Sequence, residues 1–139
     1  MKKIIIAILG LMLLVGASFA LQPEIIGGVR DGLAAGVMIE HSLGQNYGMR
    51  MGIEANTGKQ PVVIFLGGKF YLGNLSYNTP FSLGLAGVGY VGSGSTNALG
   101  IGISGIINNA FGIKPMFVEF GVDVVNTARG VLQLGYKLY

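Results

Sequence analysis

The chain contains 139 residues, a length suited to one domain, and only 11% of them are charged. The absence of cysteine excludes disulfides and any metal or thiol chemistry based on cysteine. No cluster of basic residues suggests nucleic-acid binding. A water-exposed surface normally carries much more charge than this, so the composition predicts a non-aqueous neighbour.

The N-terminal segment has the features of a secretory signal peptide. Met1-Lys2-Lys3 is a basic start, residues 4–15 form an apolar run too short to span a bilayer, and Ser18-Phe19-Ala20 matches a small-x-small cleavage site. We expect cleavage after Ala20, which divides the chain into a signal peptide (1–20) and a single domain (21–139). Lys2 and Lys3 leave with the signal, so seven of the nine basic residues remain against six acidic ones, a net charge near +1.

Segments with strand-like composition recur along the domain, separated by glycine, asparagine and proline turn signals. Each is roughly ten residues long, which is the length that a tilted strand needs to cross a bilayer. The predicted strands are residues 24–30, 35–43, 47–56, 61–72, 81–91, 98–107, 116–125 and 131–139.

Alternation within these segments produces two unlike faces. Between residues 47 and 56, Met49 and Ile53 lie on an apolar face, whereas Arg50 and Glu54 lie on the other. The interior of an eight-stranded barrel is just wide enough to be filled by side chains, so the bulky face would overfill it. A charge facing lipid would also cost up to about 2–4 kcal/mol near mid-depth. The charged, glycine-rich face is therefore predicted to line the interior.

Two segments alternate less clearly. Residues 62–72 are apolar on both faces apart from Lys69, and glycines blur the pattern in 81–91. The orientation predicted for 62–72 rests on Lys69 alone, and the pattern of 81–91 leaves its orientation open. The predicted fold class is all-β, an eight-stranded antiparallel up-and-down transmembrane β-barrel preceded by an N-terminal signal peptide.

The predicted interior contains charges of both signs, which must pair because an isolated buried ion is costly. The register assumes a turn at 44–46, with Arg30 facing Gly36 in the first hairpin and Val125 facing Val131 in the last. The facing pairs that follow are Glu40 with Arg50, Glu119 with Lys137, and Asp123 with Gln133, with Arg30 and Glu54 on either side of Gly36. The candidate charge network of the lumen is Arg30, Glu40, Arg50, Glu54, Lys69, Glu119, Asp123, Gln133 and Lys137.

The signal peptide, the eight amphipathic segments and the final stretch Leu132-Gln133-Leu134-Gly135-Tyr136-Lys137-Leu138-Tyr139 resemble the small eight-stranded outer-membrane β-barrel proteins of diderm bacteria. The resemblance implies a bacterial outer-membrane location, contact with outer-membrane lipids, and recognition of the last strand by the barrel-assembly machinery. Tyr139 lies one residue beyond the in-phase terminal aromatic of that family. With periplasmic termini, the outward connections 31–34, 57–60, 92–97 and 126–130 are short, so no large extracellular binding surface is expected.

Aromatic residues fall at strand ends on the side of the chain termini, as in the interfacial girdles of membrane barrels. These candidate interface residues are Tyr47, Phe70, Phe81 and Tyr136.

The residues provide little for catalysis. His41 is the single histidine, and its neighbours Glu40 and Ser42 point to the opposite face of a strand, so the three cannot form a triad. One histidine without cysteine gives no metal-binding cluster. Glycines at spacing four, such as Gly44 and Gly48, are also typical of packed membrane helices, but those helices would carry arginine and glutamate through lipid. We expect no catalysis, no cofactor and no nucleic-acid partner.

The main hypothesis is a small outer-membrane barrel with a plugged polar lumen and a structural or envelope-interaction role, with its protein partners left open. An alternative of another class is a soluble secreted or periplasmic β-barrel that binds an apolar ligand. Two further hypotheses are a lipid-A-modifying outer-membrane enzyme using His41 and a narrow ion-conducting, porin-like protein.

Overall fold

The computed structural model describes residues 21–92 and 97–138. Within these ranges, eight antiparallel strands follow one another around a closed barrel, with β1 hydrogen-bonded to both β2 and β8. The strands are β1 (Gln22–Arg30), β2 (Leu33–Ser42), β3 (Tyr47–Asn56), β4 (Val62–Ser76), β5 (Thr79–Val91), β6 (Ala98–Asn108), β7 (Met116–Val124) and β8 (Ala128–Lys137). The predicted all-β, eight-stranded antiparallel barrel is confirmed.

Three sequence predictions fall on residues outside the described ranges. These are the signal peptide (1–20), most of the connection at 92–97, and Tyr139. Between β6 and β7 the chain forms a short 3-10 turn, Ala110–Gly112. No helix among the described residues is long and apolar enough to cross a membrane.

The β4–β5 hairpin is longer than predicted. Residues 73–80 were expected to form a loop, but both strands continue to a short turn at Tyr77 and Asn78. Gly73 accommodates a backbone φ of 149° and Asn78 one of 64°, conformations that glycine and asparagine tolerate better than other residues. In the sequence, Gly73 and Asn78 indicate a loop. In the structure, Gly73 lies at a bulge and Asn78 in a tight turn, both inside a longer hairpin.

The predicted register is correct for the second hairpin, where Glu40 faces Arg50. It is wrong for the first hairpin, in which Val29 faces Leu33 and Arg30 does not face Gly36. The turn there is tighter than assumed, because the Arg30 amide donates to the Gly32 carbonyl oxygen at 2.9 Å.

The last hairpin differs in the same way, since Val124 faces Ala128 and Val125 does not face Val131. The facing pairs predicted for this hairpin are therefore wrong. Glu119 faces Gln133 in place of Lys137, and Asp123 faces Arg129 in place of Gln133. In both hairpins the partner is displaced by four residues, an even number, so every side chain keeps its predicted face.

The barrel interior is less polar than the volume argument assumed. Besides the charged residues it contains the buried side chains of Phe65, Tyr90 and Phe117. Inward glycines make room for two of these rings, since a Cβ at Gly52 would overlap Phe65 and one at Gly135 would overlap Phe117. Glycine on the inner face therefore spaces the strands around aromatic rings as well as around ions.

The register of the last hairpin can be tested by disulfide formation, because the chain has no cysteine of its own. Val118 faces Leu134, so Val118→Cys combined with Leu134→Cys should oxidise readily and change migration on a non-reducing gel. The predicted but incorrect register would pair Val118 with Leu138. The matched pair Val118→Cys with Leu138→Cys should therefore stay reduced, and efficient cross-linking of that pair would contradict the observed register.

Candidate functional site

All charged residues of the eight strands project into the barrel, because in each strand they occupy the face opposite to the exposed apolar residues. The set consists of Glu24, Arg30, Glu40, Arg50, Glu54, Lys69, Glu119, Asp123, Arg129 and Lys137. We treat this polar interior as the candidate functional site. The end of the barrel that carries Leu21 and Leu138 is called the terminal end, and the other end the distal end.

Arg30 is the centre of the distal half of the interior. Its Nη1 lies 2.6 Å from Glu54 Oε1, and its Nε lies 3.0 Å from Asp123 Oδ2. Glu54 also accepts a hydrogen bond of 2.6 Å from Gln133 Nε2, and Asp123 accepts one of 2.6 Å from the Tyr90 hydroxyl. One guanidinium thus neutralises two buried carboxylates, each of which has a neutral donor as a second partner.

Arg50 has the equivalent role in the terminal half. Its Nη2 donates to Glu119 Oε2 at 2.9 Å, and its Nε lies 3.7 Å from Glu40 Oε2. The other oxygen of Glu119 accepts a hydrogen bond of 2.6 Å from the Ser104 hydroxyl. The predicted pair Arg50–Glu40 is present, but the shorter contact is with Glu119 on the opposite wall of the barrel.

The terminal mouth of the interior contains two lysines and two glutamates. Lys69 Nζ contacts both oxygens of Glu40, at 2.9 and 3.1 Å, and donates to Asn108 Oδ1 at 2.8 Å. Lys137 Nζ lies 3.6 Å from Glu40 and 3.7 Å from Glu24. Lys137 is therefore placed against Glu40 and Glu24 and does not meet its predicted partner, Glu119.

Arg129 connects several groups at the distal end. Its Nη1 donates to Asp31 Oδ2 at 2.8 Å and to Gln60 Oε1 at 2.6 Å, and its guanidinium carbon lies 4.2 Å from the centre of the Tyr90 ring. Since Asp31 and Gln60 belong to two different turns, Arg129 links β8 to both of them at the distal end.

The other two arginines of the interior also stack on aromatic rings. Arg30 lies 4.9 Å from the centre of the Phe65 ring, and Arg50 lies 5.5 Å from that of Phe117. A guanidinium is weakly hydrated on its flat faces and strongly hydrogen-bonding at its edges, so it can contact a ring and a carboxylate together. Each buried arginine therefore joins the apolar and the ionic parts of the interior.

The structure brings the predicted network together but extends it. Glu24, Arg129 and Tyr90 were not predicted as members. Glu24 could have been found, since it shares the even-numbered face of β1 with Arg30. Arg129 was assigned to a turn, and only the tighter last hairpin places it on the inner face of β8.

The predicted interface aromatics lie at the terminal end. Tyr47, Phe70 and Tyr136 are exposed on the outer face, and Tyr47 faces Phe70 across β3 and β4. Phe81 is partly buried and stacks on Phe120, with ring centres 6.4 Å apart.

The middle of the interior is nearly filled, whereas an open cavity of about 100 Å³ lies at the terminal mouth beside Glu40 and Lys69. A cavity of about 20 Å³, which has room for about one water molecule, lies between Arg30, Arg50, Glu119 and Asp123. His41 faces Met49 on the outer surface, away from Glu40, so it has no acid partner on its own face of β2. Among the described residues, no group of three or more histidine, aspartate or glutamate side chains could hold a metal ion.

Comparisons of the chain with models of known protein families, with curated proteins and with solved structures gave no match.

The ion pairs of the interior should differ in strength according to burial. Glu54→Gln keeps the shape of the side chain but leaves Arg30 with one acid, and removing one partner of a buried pair typically costs about 3–5 kcal/mol. Asp31→Asn, at the exposed distal end, should cost less than about 1 kcal/mol. Equilibrium unfolding in urea of the two variants and the wild type measures both losses. Equal losses would show that burial does not set the contribution of these pairs.

Proposed function

We propose that the protein is an integral β-barrel of the bacterial outer membrane, with a plugged polar lumen and a structural or envelope-interaction role, and that it is not an enzyme. The observation that carries the proposal is the distribution of charge. The outer face of the eight described strands has no charged residue, whereas the inner face has all of them.

The outer surface supports contact with lipid. Large apolar side chains are exposed around the barrel, among them Ile25, Leu66, Leu99, Ile103 and Leu132. Monomeric proteins in water rarely expose a continuous apolar patch of more than a few hundred Å². In hydrocarbon the same surface is favourable, and a closed barrel leaves no unpaired strand edge there.

Strand length supports the same placement. The strands contain between 9 and 15 residues, and a tilted strand needs about 9–11 to cross the hydrocarbon layer. The sequence features of a signal peptide are consistent with export. The proposed partners are outer-membrane lipids and, during biogenesis, the barrel-assembly machinery, which would read the apolar outer residues of β8.

The interior supports a plugged barrel more than a binding protein. A soluble barrel with an apolar ligand would need an apolar cavity, but the cavity near Arg30 and Arg50 is about 20 Å³ and is bordered by the carboxylates of Glu119 and Asp123. Ions of both signs pair across the interior, so a solute would have to displace ion pairs in order to pass.

A lysine on the outer face tests membrane insertion. Ile103 is exposed and lies in the middle of β6, so Ile103→Lys should destabilise the protein by about 2–4 kcal/mol in phospholipid vesicles. Gln45→Lys, in the exposed 43–46 turn, should change stability by less than about 0.5 kcal/mol. Unfolding in urea after reconstitution gives both values. Equal stability of the two variants, or release of the intact wild type from membranes by carbonate washing, would contradict the proposal.

The plugged lumen predicts that purified wild-type protein in a planar bilayer shows no current above leak. A variant that combines Arg30→Ala and Glu54→Ala with Arg50→Ala and Glu119→Ala removes one ion pair from each half of the interior and replaces four long side chains with methyl groups, so it should conduct measurably. Current steps from the wild type would overturn the plugged-lumen part of the proposal.

A further inference from the structure

The terminal end carries an apolar surface that does not belong to the barrel wall. It consists of residues 71–80 at the tip of the β4–β5 hairpin and residues 109–114 between β6 and β7, here named the terminal extension. The Asn109 side-chain amide donates to the Asn78 carbonyl oxygen at 2.8 Å, which holds the two segments side by side. The extension is therefore one surface formed by two segments.

Four large apolar side chains of this surface are mostly exposed. The exposed fraction is 61% for Leu72, 59% for Leu75, 94% for Tyr77 and 79% for Phe111. Leu72 and Leu75 are the residues skipped at the two irregularities in β4–β5 pairing. A bulge leaves its extra residue outside the ladder and re-aims the side chain, so both leucines are displayed where regular pairing is interrupted.

Phe111 adds backbone strain to the same pattern. Its φ is 56°, in the left-handed region that a bulky residue rarely adopts, at a cost on the order of 1–3 kcal/mol. In water this conformation leaves the aromatic ring exposed, so no burial of the ring offsets the backbone strain. Contact of the ring with an apolar neighbour outside the chain would offset it.

The charged residues and the backbone hydrogen bonding of the extension indicate which environment would surround it. Residues 71–80 and 109–114 contain no carboxylate and one cation, Lys114. β4 pairs with β3 up to Phe70, and β5 pairs with β6 from Phe81 onward, so the tip of the hairpin extends beyond its neighbouring strands. Outside the hairpin, the Tyr71 amide donates to the Asn46 carbonyl oxygen, and the Asn78 and Pro80 carbonyl oxygens accept from asparagine side chains, but no strand continues the pairing there. Unpaired amide and carbonyl groups are excluded from hydrocarbon but can be hydrated in the headgroup layer.

We propose that the terminal extension inserts into the headgroup layer of the bilayer that surrounds the barrel, with its leucines and aromatics at the acyl-chain boundary and Lys114 near lipid phosphates. This inference rests on the proposed membrane insertion. Aromatic and aliphatic side chains with lysine and without acid are the composition of interfacial membrane segments. The surface is also continuous with the uncharged outer face of the barrel through Phe70. An interfacial anchor at one end would hold the barrel at a defined depth.

Tryptophan fluorescence can test the position of the extension, because the chain contains no tryptophan. Four single variants are reconstituted into phospholipid vesicles. Tyr77→Trp and Phe111→Trp report on the extension, Ile103→Trp on the middle of the outer face, and Lys59→Trp on a distal turn. Each is titrated with aqueous acrylamide and, separately, prepared with lipids brominated near the headgroup or in the middle of the acyl chain.

We expect both extension variants to emit at shorter wavelength than Lys59→Trp, to lose intensity with bromine near the headgroup, and to resist acrylamide. Ile103→Trp should lose intensity with mid-chain bromine. If the extension variants are quenched by acrylamide as strongly as Lys59→Trp, the extension lies in water and the inference is wrong.

Two other outcomes distinguish the position of the terminal extension from membrane insertion of the barrel. Resistance to acrylamide without quenching by either brominated lipid would mean that a protein, such as a second copy of this chain, covers the extension, which also overturns the inference. Failure of mid-chain bromine to quench Ile103→Trp would instead contradict membrane insertion itself.

Discussion

Closure of the sheet between β1 and β8 is the constraint on which the rest of the structure depends. Because the barrel has eight strands, its interior is just wide enough for side chains to touch across it. Residues far apart in the chain therefore become direct partners. Arg50 and Glu119 are 69 positions apart, and Gln133 and Glu54 are 79 apart. Without closure these charges would lie on one face of an open sheet, with only their strand neighbours as partners.

Filling this narrow space requires small and large residues at complementary positions. The rings of Phe65 and Phe117 occupy the space that Gly52 and Gly135 leave, and the guanidinium of a buried arginine lies over each ring. Glycine at these inner positions is therefore a packing requirement. The result is an interior in which apolar contacts and ion pairs depend on the same arginines, so removing one arginine disturbs both.

The two ends of the barrel differ in the side chains that their described residues display. At the distal end, Arg129 joins the polar side chains of Asp31 and Gln60 from two turns. At the terminal end, the β4–β5 hairpin continues past the other strands and displays Leu72 and Tyr77. This difference between the described parts of the two ends is the basis of the interfacial anchor proposed for the terminal extension.

Local sequence determined that there are eight strands and which face the charged residues inside the predicted strands occupy, because alternation is a property of neighbouring positions and survives a register shift of an even number of residues. It also determined the pair Glu40–Arg50, whose hairpin turn is marked clearly by glycine and asparagine. Only the tertiary structure decided that Arg50 has its shorter contact with Glu119, that Arg129 reaches the interior, and that residues 73–80 extend a hairpin. These outcomes depend on turn lengths and on the distance across a closed barrel, and neither quantity is encoded in the alternation of a single strand.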